Sequence, residues 1–148
     1  MSQQNTVLYY FHDPMCSWCW GFKPVLAQLT QGLSNTLQIE HVVGGLAADS
    51  DMPMPEKMQT QIKSNWQAIQ QTIPGTEFNY DFWDSCMPRR STYPACRAVL
   101  ASKQLMPDKH SEMNSAIQQA YYLQARNPSD YNVLYSLAED IGHNRAQL

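Results

Sequence analysis

The sequence predicts an α/β fold in which a strand–helix–strand unit precedes a region made only of helices. Three observations predict it. A short apolar run rich in β-forming residues at 7–11 is followed by a helical apolar pattern and then by a second, partly alternating run at 37–43. From residue 53 onward the apolar residues recur at helical spacings, and Pro and Gly separate the segments. The length of 148 residues suits a domain with a sizeable core.

The first half of the pattern is a βαβ unit. The run at 7–11 predicts a buried strand, and Pro14 ends it because proline cannot donate to a ladder. A helix is expected from near Cys16 to about Gln31, with Gly32 as its stop. Strand, helix and strand within roughly 40 residues predict parallel pairing of the two strands. The apolar stripe of the helix comprises Trp18, Phe22, Val25, Leu26 and Leu29.

Four further helices are expected after the βαβ unit. The first follows Pro55 and ends at Pro74-Gly75. The aromatic stretch 76–90 is predicted to be a loop. A second helix begins near Thr92 and ends before Pro107, and a third begins at Asp108 as its N-cap and extends to Asn127-Pro128. The last helix is predicted from about Ser129 to just before Gly142.

Composition and charge exclude several classes of protein. A net charge of -3 argues against a sequence-independent nucleic-acid binder. No apolar run approaches the roughly 18–20 residues that span a bilayer. The first six residues have neither the basic nor the apolar region of an export signal. We therefore expect a cytoplasmic protein with no nucleic-acid or membrane partner.

Two of the four cysteines form the central motif of the sequence. Cys16 and Cys19 stand at i and i+3 where the first strand feeds a helix, which brings the thiols about one turn apart. The helix dipole and the free N–H groups there lower a thiol pKa from about 8.5 to between about 3.5 and 7.5. Cys16 is therefore expected to be the nucleophile and Cys19 the resolving thiol of a thiol–disulfide exchange, with no cofactor or metal.

Other interpretations of the cysteines stay open at this point. Cys16 and Cys19 would be half of a zinc site if Cys86 and Cys96 supplied the other ligands, although those two are ten residues apart. An inert buried pair is a further alternative. Cys86 and Cys96 would form a second disulfide in one interpretation, but burial of Cys96 on the apolar face of its helix is favoured.

Several neighbours of the motif have both a functional and a structural interpretation. His12 would stabilise a thiolate while Asp13 would oppose it, yet a solvent-facing strand end is favoured for His12. Trp18 would shape a substrate surface or fill the core. An adaptable apolar groove for unfolded substrates would be lined by Met15, Met52 and Met54.

Around the Cys16–Cys19 motif the sequence resembles the DsbA family of thioredoxin-fold oxidoreductases, in its FrnE-like branch. Support comes from 43–46 after the second strand and from 93–98 in the helical part. The resemblance implies a thioredoxin-like βαβ part over 1–48 and a DsbA-type helical insertion over 49–148. It is carried mainly by Tyr10-Phe11-His12-Asp13-Pro14-Met15-Cys16-Ser17-Trp18-Cys19-Trp20-Gly21-Phe22.

The resemblance implies an active-site pair made of Cys16 and Cys19. The candidate tuning or substrate-binding residues around the pair are Ser17, Trp18, Pro14 and His12. The family returns from its insertion into an antiparallel strand pair that begins with a cis-proline, and the sequence stops where that return would start. We therefore expect the C-terminal strands of the fold to be missing. Because two strands rarely form a stable sheet alone, a second copy in a homodimer or an unusual arrangement would be needed.

The leading functional prediction is a dithiol–disulfide oxidoreductase or isomerase that acts on protein or small-molecule thiols and disulfides. The reduction potential set by glutathione in the cytosol would keep the pair reduced, which favours reductase or isomerase behaviour. The first alternative is a glutathione-dependent transferase or isomerase of the kappa type, a class that generally has a single serine at the catalytic position. The second is a non-catalytic zinc-binding or interaction module.

Overall fold

The protein is described by a computed structural model over residues 6–33 and 37–147. Most of the N-terminal segment on which the export-signal prediction rests lies outside these residues. No helix in the described part of the chain is long and apolar enough to cross a bilayer. The elements are β1 (Thr6–His12), α1 (Ser17–Leu33), β2 (Leu37–Val43), α2 (Glu56–Thr72), α3 (Phe82–Ser85), α4 (Tyr93–Leu105), α5 (His110–Tyr122) and α6 (Tyr131–Asp140).

The predicted βαβ unit is confirmed. β1 and β2 pair in parallel from Thr6 opposite Leu37 to His12 opposite Val43. Because side chains alternate along a strand, Tyr10 and His12 lie on one face of β1, and Tyr10 lies directly opposite His41. The two strands form a sheet of their own in the described residues, and α1 connects them. The predicted division of the chain at residue 48 stays a prediction.

The core lies in the helical region and has two parts. Aliphatic side chains of α4, α5 and α6 form the first, with Val99, Ile117 and Leu134 among its buried members. The second is aromatic and surrounds Trp66 of α2, whose ring is fully buried. Phe78 stacks on that ring at 4.6 Å between centroids. Such aromatic pairs contribute about 0.5–1.5 kcal/mol beyond their buried area, so this cluster anchors α2 to the rest of the bundle.

The strand β1 is less buried than its apolar sequence predicts. Tyr9 is 60% exposed and Phe11 is 67% exposed, so the expectation of a buried strand is wrong. The stripe of α1 is also partly exposed, at Trp18, Phe22, Val25 and Leu29. The physical reason is that the helical bundle packs around α4, α5 and α6 and leaves these apolar side chains uncovered in the described residues.

One additional short helix and three helix boundaries differ from the prediction. α1 continues through Gly32 to Leu33, so Gly32 is not its stop. The stretch 76–90 contains the short helix α3, because Phe82 and Trp83 are buried in the aromatic cluster and bring the backbone into a turn. Asp108 lies in a 3-10 turn before α5 and not at its N-cap. α5 ends at Tyr122, several residues before Asn127-Pro128.

Candidate active site

The two cysteines of the motif lie at the N-terminus of α1, as predicted, with Cys16 directly before the helix and Cys19 in its first turn. The backbone N–H of Cys16 donates to the carbonyl of Asp13 at 3.0 Å, and the carbonyl of Cys16 accepts the N–H of Trp20 at 3.1 Å. Cys16 is therefore the N-cap of the helix. Its sulfur accepts the N–H of Cys19 at 3.4 Å, as the side chain of an N-cap residue does with the third helical residue.

The pKa values of the two thiols are coupled and are displaced in opposite directions. The hydrogen bond to Cys19, and then burial, raise the pKa of Cys16, although the backbone N–H groups of Cys19 and Trp18 act in the opposite direction. The pKa of Cys19 is lowered to about 6 by the hydrogen bond from Cys16, by the backbone of Asp13 and by the hydroxyl of Tyr10. The role of Cys16 as the acidified nucleophile stays a prediction, and the N–H of Cys19 that donates to its sulfur would stabilise a thiolate there. Because the sulfurs interact strongly, the first ionisation belongs to the pair.

Asp13 fixes the loop between β1 and α1. Its carboxylate is buried and accepts the N–H of Met15 at 2.8 Å and the N–H of Leu46 at 2.9 Å. The thiol of Cys96 also donates to it, at 3.4 Å. A buried carboxylate is tolerated where hydrogen bonds replace its hydration. The carboxylate therefore ties the active-site loop to the segment after β2 and to α4.

The remaining residues of the motif divide into structural and exposed ones. Ser17 accepts a hydrogen bond from the indole N–H of Trp66 at 2.9 Å, so its hydroxyl joins the start of α1 to the aromatic core. Pro14 is fully buried. Trp18 is 46% exposed, so of its two interpretations the surface one agrees with the structure.

His12 is buried, and the favoured prediction of a solvent-facing strand end is wrong for it. Its ring stacks on Tyr10 at 5.3 Å and meets the edge of His41 at 5.5 Å. Burial and the neighbouring His41 lower the pKa of His12 to about 4. Burial, together with His110 and Lys103, also lowers the pKa of His41. Both rings are therefore neutral near pH 7.

Cys19 opens into a cavity of about 370 Å³ between α1, the sheet and α5, lined by polar side chains and by apolar ones such as Leu26 and Val99. Lys23 lines it and donates to Ser115 at 3.0 Å. Sequence reasoning missed the cavity residues Tyr10, His41 and His110. The alternation of β1 and the parallel register place Tyr10 and His41 beside each other, but the contribution of α5 has no signal in the local sequence.

Cys16 opens into a different depression, a groove of about 290 Å³ on the opposite side of the helix end. Of the three methionines predicted to line a groove, Met15 and Met54 do so, whereas Met52 does not. Met58 takes part instead. The groove is mainly apolar and has two arginines at one side. Its other lining residues include Trp18, Leu46, Ile62, Arg89 and Arg90.

The remaining cysteines do not join the pair. Cys86 donates to the carbonyl of Ala125 at 3.1 Å, and Cys96 donates to Asp13, so the alternative of a second disulfide between them is not formed. Burial, followed by the charge of Asp13, raises the pKa of Cys96 to about 12. Over residues 6–33 and 37–147 there is no group of three or more His, Cys, Asp or Glu side chains arranged to hold a metal ion. The four-cysteine zinc site is therefore not assembled there.

Comparison with known proteins gives one family and one curated relative. A family model described as thioredoxin matches residues 9–148. The ClpXP adapter protein SpxH of Halalkalibacterium halodurans is 24% identical over 139 residues, which are 91% of this chain and 45% of the relative. The chain thus spans less than half the length of that curated relative.

Solved structures resemble the chain over nearly its whole length. A structure from Nitrosomonas europaea, described as that of a proposed protein disulfide isomerase, has a TM-score of 0.82 and 31% identity and covers 97% of this chain and 68% of its own. The cytosolic disulfide reductase DsbM from Pseudomonas aeruginosa has a TM-score of 0.75 and 26% identity, over 92% of this chain and 64% of its own. A structure of DsbM with GSH matches equally well.

Proposed function

The chain belongs to the thioredoxin family, and on this premise we propose that it is a dithiol–disulfide oxidoreductase whose redox pair is Cys16 and Cys19. One observation carries the proposal: the two thiols lie together at the N-terminus of α1, where the backbone N–H of Cys19 donates to the sulfur of Cys16 at 3.4 Å. A cysteine pair with a lowered first pKa at a helix end is the arrangement that makes a thiolate available near neutral pH.

The proposed reaction proceeds through a mixed disulfide. Cys16 attacks one sulfur of a substrate disulfide as a thiolate while Cys19 is protonated, and the other substrate sulfur leaves as a thiolate. Cys19 then gives its proton to that thiolate or to water and attacks Cys16. The first substrate sulfur leaves, and the Cys16–Cys19 disulfide forms. The substrate gains two electrons and the pair loses two.

The groove beside Cys16 supports disulfides in flexible protein segments as one substrate class. Met15, Met54 and Met58 offer polarisable side chains that adapt to different apolar partners. Trp18, which is exposed, borders the same groove. Arg90 adds a positive charge at its side. We propose that this face receives the substrate and that Trp18 contributes to its affinity.

Small thiols are the second proposed partner class. DsbM is described as a cytosolic disulfide reductase and has been solved with GSH. By that likeness we propose that glutathione returns the oxidised pair to its dithiol form and that the protein works in the cytoplasm. The reduction potential set by cytosolic glutathione would keep the pair reduced. By the same reasoning we propose that the protein acts as a reductase or an isomerase.

The roles of the neighbouring residues are part of the proposal. Ser17 and Trp18, between the cysteines, tune the reduction potential. Ser17 acts by holding the first turn of α1 against Trp66. Pro14 and His12 are buried beside the pair and limit the access of water to it. A homodimer that covers the exposed side chains of β1 also stays a prediction, and size-exclusion chromatography over a range of concentrations checks it.

A trapping experiment tests the proposed function. With Cys19→Ser the mixed disulfide forms and cannot be resolved, so a small disulfide or an oxidised model protein accumulates as an adduct on Cys16, which mass spectrometry identifies. Cys16→Ser is the matched control and forms far less adduct. Equal adduct formation by the two variants, or none by Cys19→Ser, would contradict the proposal. Bound zinc that protects all the thiols would favour the binding module instead.

A further inference from the structure

The groove beside Cys16 borders the N-terminal ends of two helices. Cys16 and Ser17 line it at the start of α1, and Thr92, the residue directly before α4, lines it at the start of that helix. The N-terminal end of an α-helix carries a partial positive charge and therefore favours anions. The charged side chains of the groove are those of Arg89 and Arg90, and no Asp or Glu is among the described residues that line it. The groove is therefore electropositive next to the sulfur of Cys16.

The two arginines of the groove differ in their partners. Arg89 donates to the carbonyl of Ser129, and its guanidinium lies 3.6 Å from the carboxylate of Asp51 and 3.9 Å from that of Asp130. Arg90 is exposed, and neither a hydrogen bond nor an ion pair joins it to another residue that the structure describes. The charge of Arg89 is thus used within the protein, whereas that of Arg90 is available to a ligand in the groove.

Backbone hydrogen bonds hold the segment that carries Arg90 at both of its ends. The N–H of Met54 donates to the carbonyl of Pro88 at 2.8 Å, and the N–H of Thr92 donates to the carbonyl of Ala47 at 2.9 Å. Both partners of the segment belong to the chain that follows β2. The backbone of Arg90 is therefore fixed, and its side chain alone is free to move.

The loop before Cys16 is attached to the same part of the chain. The N–H of Leu46 donates to the buried carboxylate of Asp13 at 2.9 Å, and this carboxylate also accepts the N–H of Met15 at 2.8 Å. Arg90 and Cys16 are thus mounted on one hydrogen-bonded framework and face one groove. A ligand that contacts the guanidinium is held in a defined position relative to the sulfur.

Ser91 gives a second sign of unused hydrogen-bonding capacity at this place. It follows Arg90 in the chain, lines the groove and is only 2% exposed. Its hydroxyl has no hydrogen-bond partner among the described residues. Buried polar groups in proteins are nearly always paired, so an unpaired hydroxyl beside an unpaired guanidinium indicates a place that receives a polar group from outside.

We propose that Arg90 is a specificity-determining residue that favours disulfides bearing a carboxylate close to the reacting sulfur. The inference rests on the proposed function, because it names the substrate class that the groove beside Cys16 receives. A carboxylate complements a guanidinium in charge and accepts two parallel N–H bonds from it. The groove volume of about 290 Å³ is near the lower end of the range for ligand sites, which suits a single acidic residue or a small acidic molecule.

Arg90 acts on binding and takes no part in the bond changes. The thiolate of Cys16 forms a bond to one substrate sulfur, the substrate S–S bond breaks, and the other sulfur leaves with the electron pair as a thiolate. The guanidinium keeps its proton and the carboxylate stays ionised throughout. The contribution of Arg90 is therefore confined to substrates that carry the carboxylate.

The experiment uses two aromatic disulfides that release coloured thiolates. A nitrobenzoate disulfide carries a carboxylate on each ring, and a dipyridyl disulfide is neutral near pH 7. All variants are made in a Cys19→Ser, Cys86→Ala background, in which Cys16 is the accessible thiol because Cys96 is buried. Stopped-flow absorbance gives a second-order rate constant for each reagent. Their ratio, anionic over neutral, is the preference of a variant, and differences between the leaving groups cancel when variants are compared.

We expect Arg90→Gln to lower this preference about threefold, the size of effect that an exposed ion pair gives. The rate with the neutral disulfide stays the same. Arg90→Lys keeps the charge without the planar fork and retains part of the preference. Lys57→Gln is the matched control: it removes an exposed positive charge from α2 that does not line the groove, and it should change the preference far less. Added salt should reduce the preference of the parent more than that of Arg90→Gln.

Peptide disulfides distinguish the two sources of the carboxylate. Two peptides are compared that differ only in Glu or Gln next to the cysteine. A preference for the Glu peptide that Arg90→Gln removes assigns the groove to acidic protein segments. A preference that Arg90→Gln removes only with the aromatic reagents assigns it to small acidic disulfides.

Three results would overturn the inference. They are an unchanged preference in Arg90→Gln, an equal fall in Lys57→Gln, and an equal loss of rate with the anionic and the neutral reagent in Arg90→Gln although thermal melts show a folded protein. The neutral reagent keeps the test separate from the proposed function. If Cys16→Ser in the Cys86→Ala background releases thiolate from it as fast as the parent, the proposed function fails. If the release requires Cys16, the three results contradict the role of Arg90 alone.

Discussion

The thiol of Cys96 donates a hydrogen bond to the buried carboxylate of Asp13, 83 residues earlier in the chain, at 3.4 Å. The same carboxylate accepts the backbone N–H groups of Met15 and Leu46. Through these contacts α4 holds the loop that precedes the redox pair. Cys96 is therefore more than a packing residue of its helix, although packing was the better of its two sequence interpretations.

Removal of the Cys96 thiol should destabilise the protein. Cys96→Ala deletes one donor to a buried carboxylate, and a group left unsatisfied in this way costs about 1–3 kcal/mol of the free energy of unfolding. Cys96→Ser is the matched variant, because its hydroxyl is also a donor, and it should lose less. Denaturant unfolding of the three proteins measures the difference. An equal loss in both variants would show that the hydrogen bond is unimportant.

The reactivity of the pair should depend on pH with an inflection near neutrality. The pKa of Cys19 is lowered to about 6, so the pair carries a thiolate above this pH and is fully protonated below it. The rate of alkylation of the reduced Cys86→Ala protein should therefore rise through pH values near 6 and then level off. Cys16→Ala removes the strongest donor and should move the inflection upward. A parent protein that shows no inflection below pH 8 would contradict the lowered pKa.

Replacement of two glycines of α1 by alanine should change the stability of the protein in opposite directions. A Cβ on Gly21 would lie 2.9 Å from a methyl carbon of Ile69 and 3.0 Å from Ile73, so Gly21→Ala pushes α1 away from α2. Such overpacking costs typically about 1–3 kcal/mol. Gly32 has no neighbour within 4 Å of a Cβ, and Gly32→Ala should stabilise the helix by roughly 0.5–1 kcal/mol. Thermal or denaturant unfolding measures both, and a stabilising Gly21→Ala would contradict the close packing.

Protonation of His12 should destabilise the fold as the pH falls. Burial, and then His41, lower the pKa of His12 to about 4, whereas the unfolded chain retains a value near 6.5. Between these values the unfolded state binds a proton that the folded state does not, so stability decreases from about pH 6.5 toward pH 4. Asp13 opposes this shift and His110 adds to it.

His12→Phe keeps a ring next to Tyr10 and removes the titrating group. Its melting temperature should therefore change less than that of the parent between pH 6.5 and pH 4, in buffers of constant ionic strength. Parallel pH profiles of the two proteins would show that His12 does not control acid stability.

Local patterns in the sequence were sufficient to predict the βαβ unit, its parallel pairing and the position of Cys16 and Cys19 at a helix end. These features depend on residues within a few positions of one another: an apolar run, a proline that ends a strand and a cysteine spacing of one helical turn. The helical segments followed from the same periodicity, with shifted boundaries at Asp108 and in the stretch 76–90.

The tertiary structure alone decided which side chains surround the pair. Tyr10, His41 and His110 reach the cavity beside Cys19 from three elements, and Cys96 reaches Asp13 from a fourth. The helix end by itself predicts a lowered pKa for Cys16, whereas burial raises the pKa values of both thiols and so acts against the helix end. Hydrogen bonding and desolvation depend on which side chains are in contact in the folded protein. The periodicity of the sequence gives no information about these contacts.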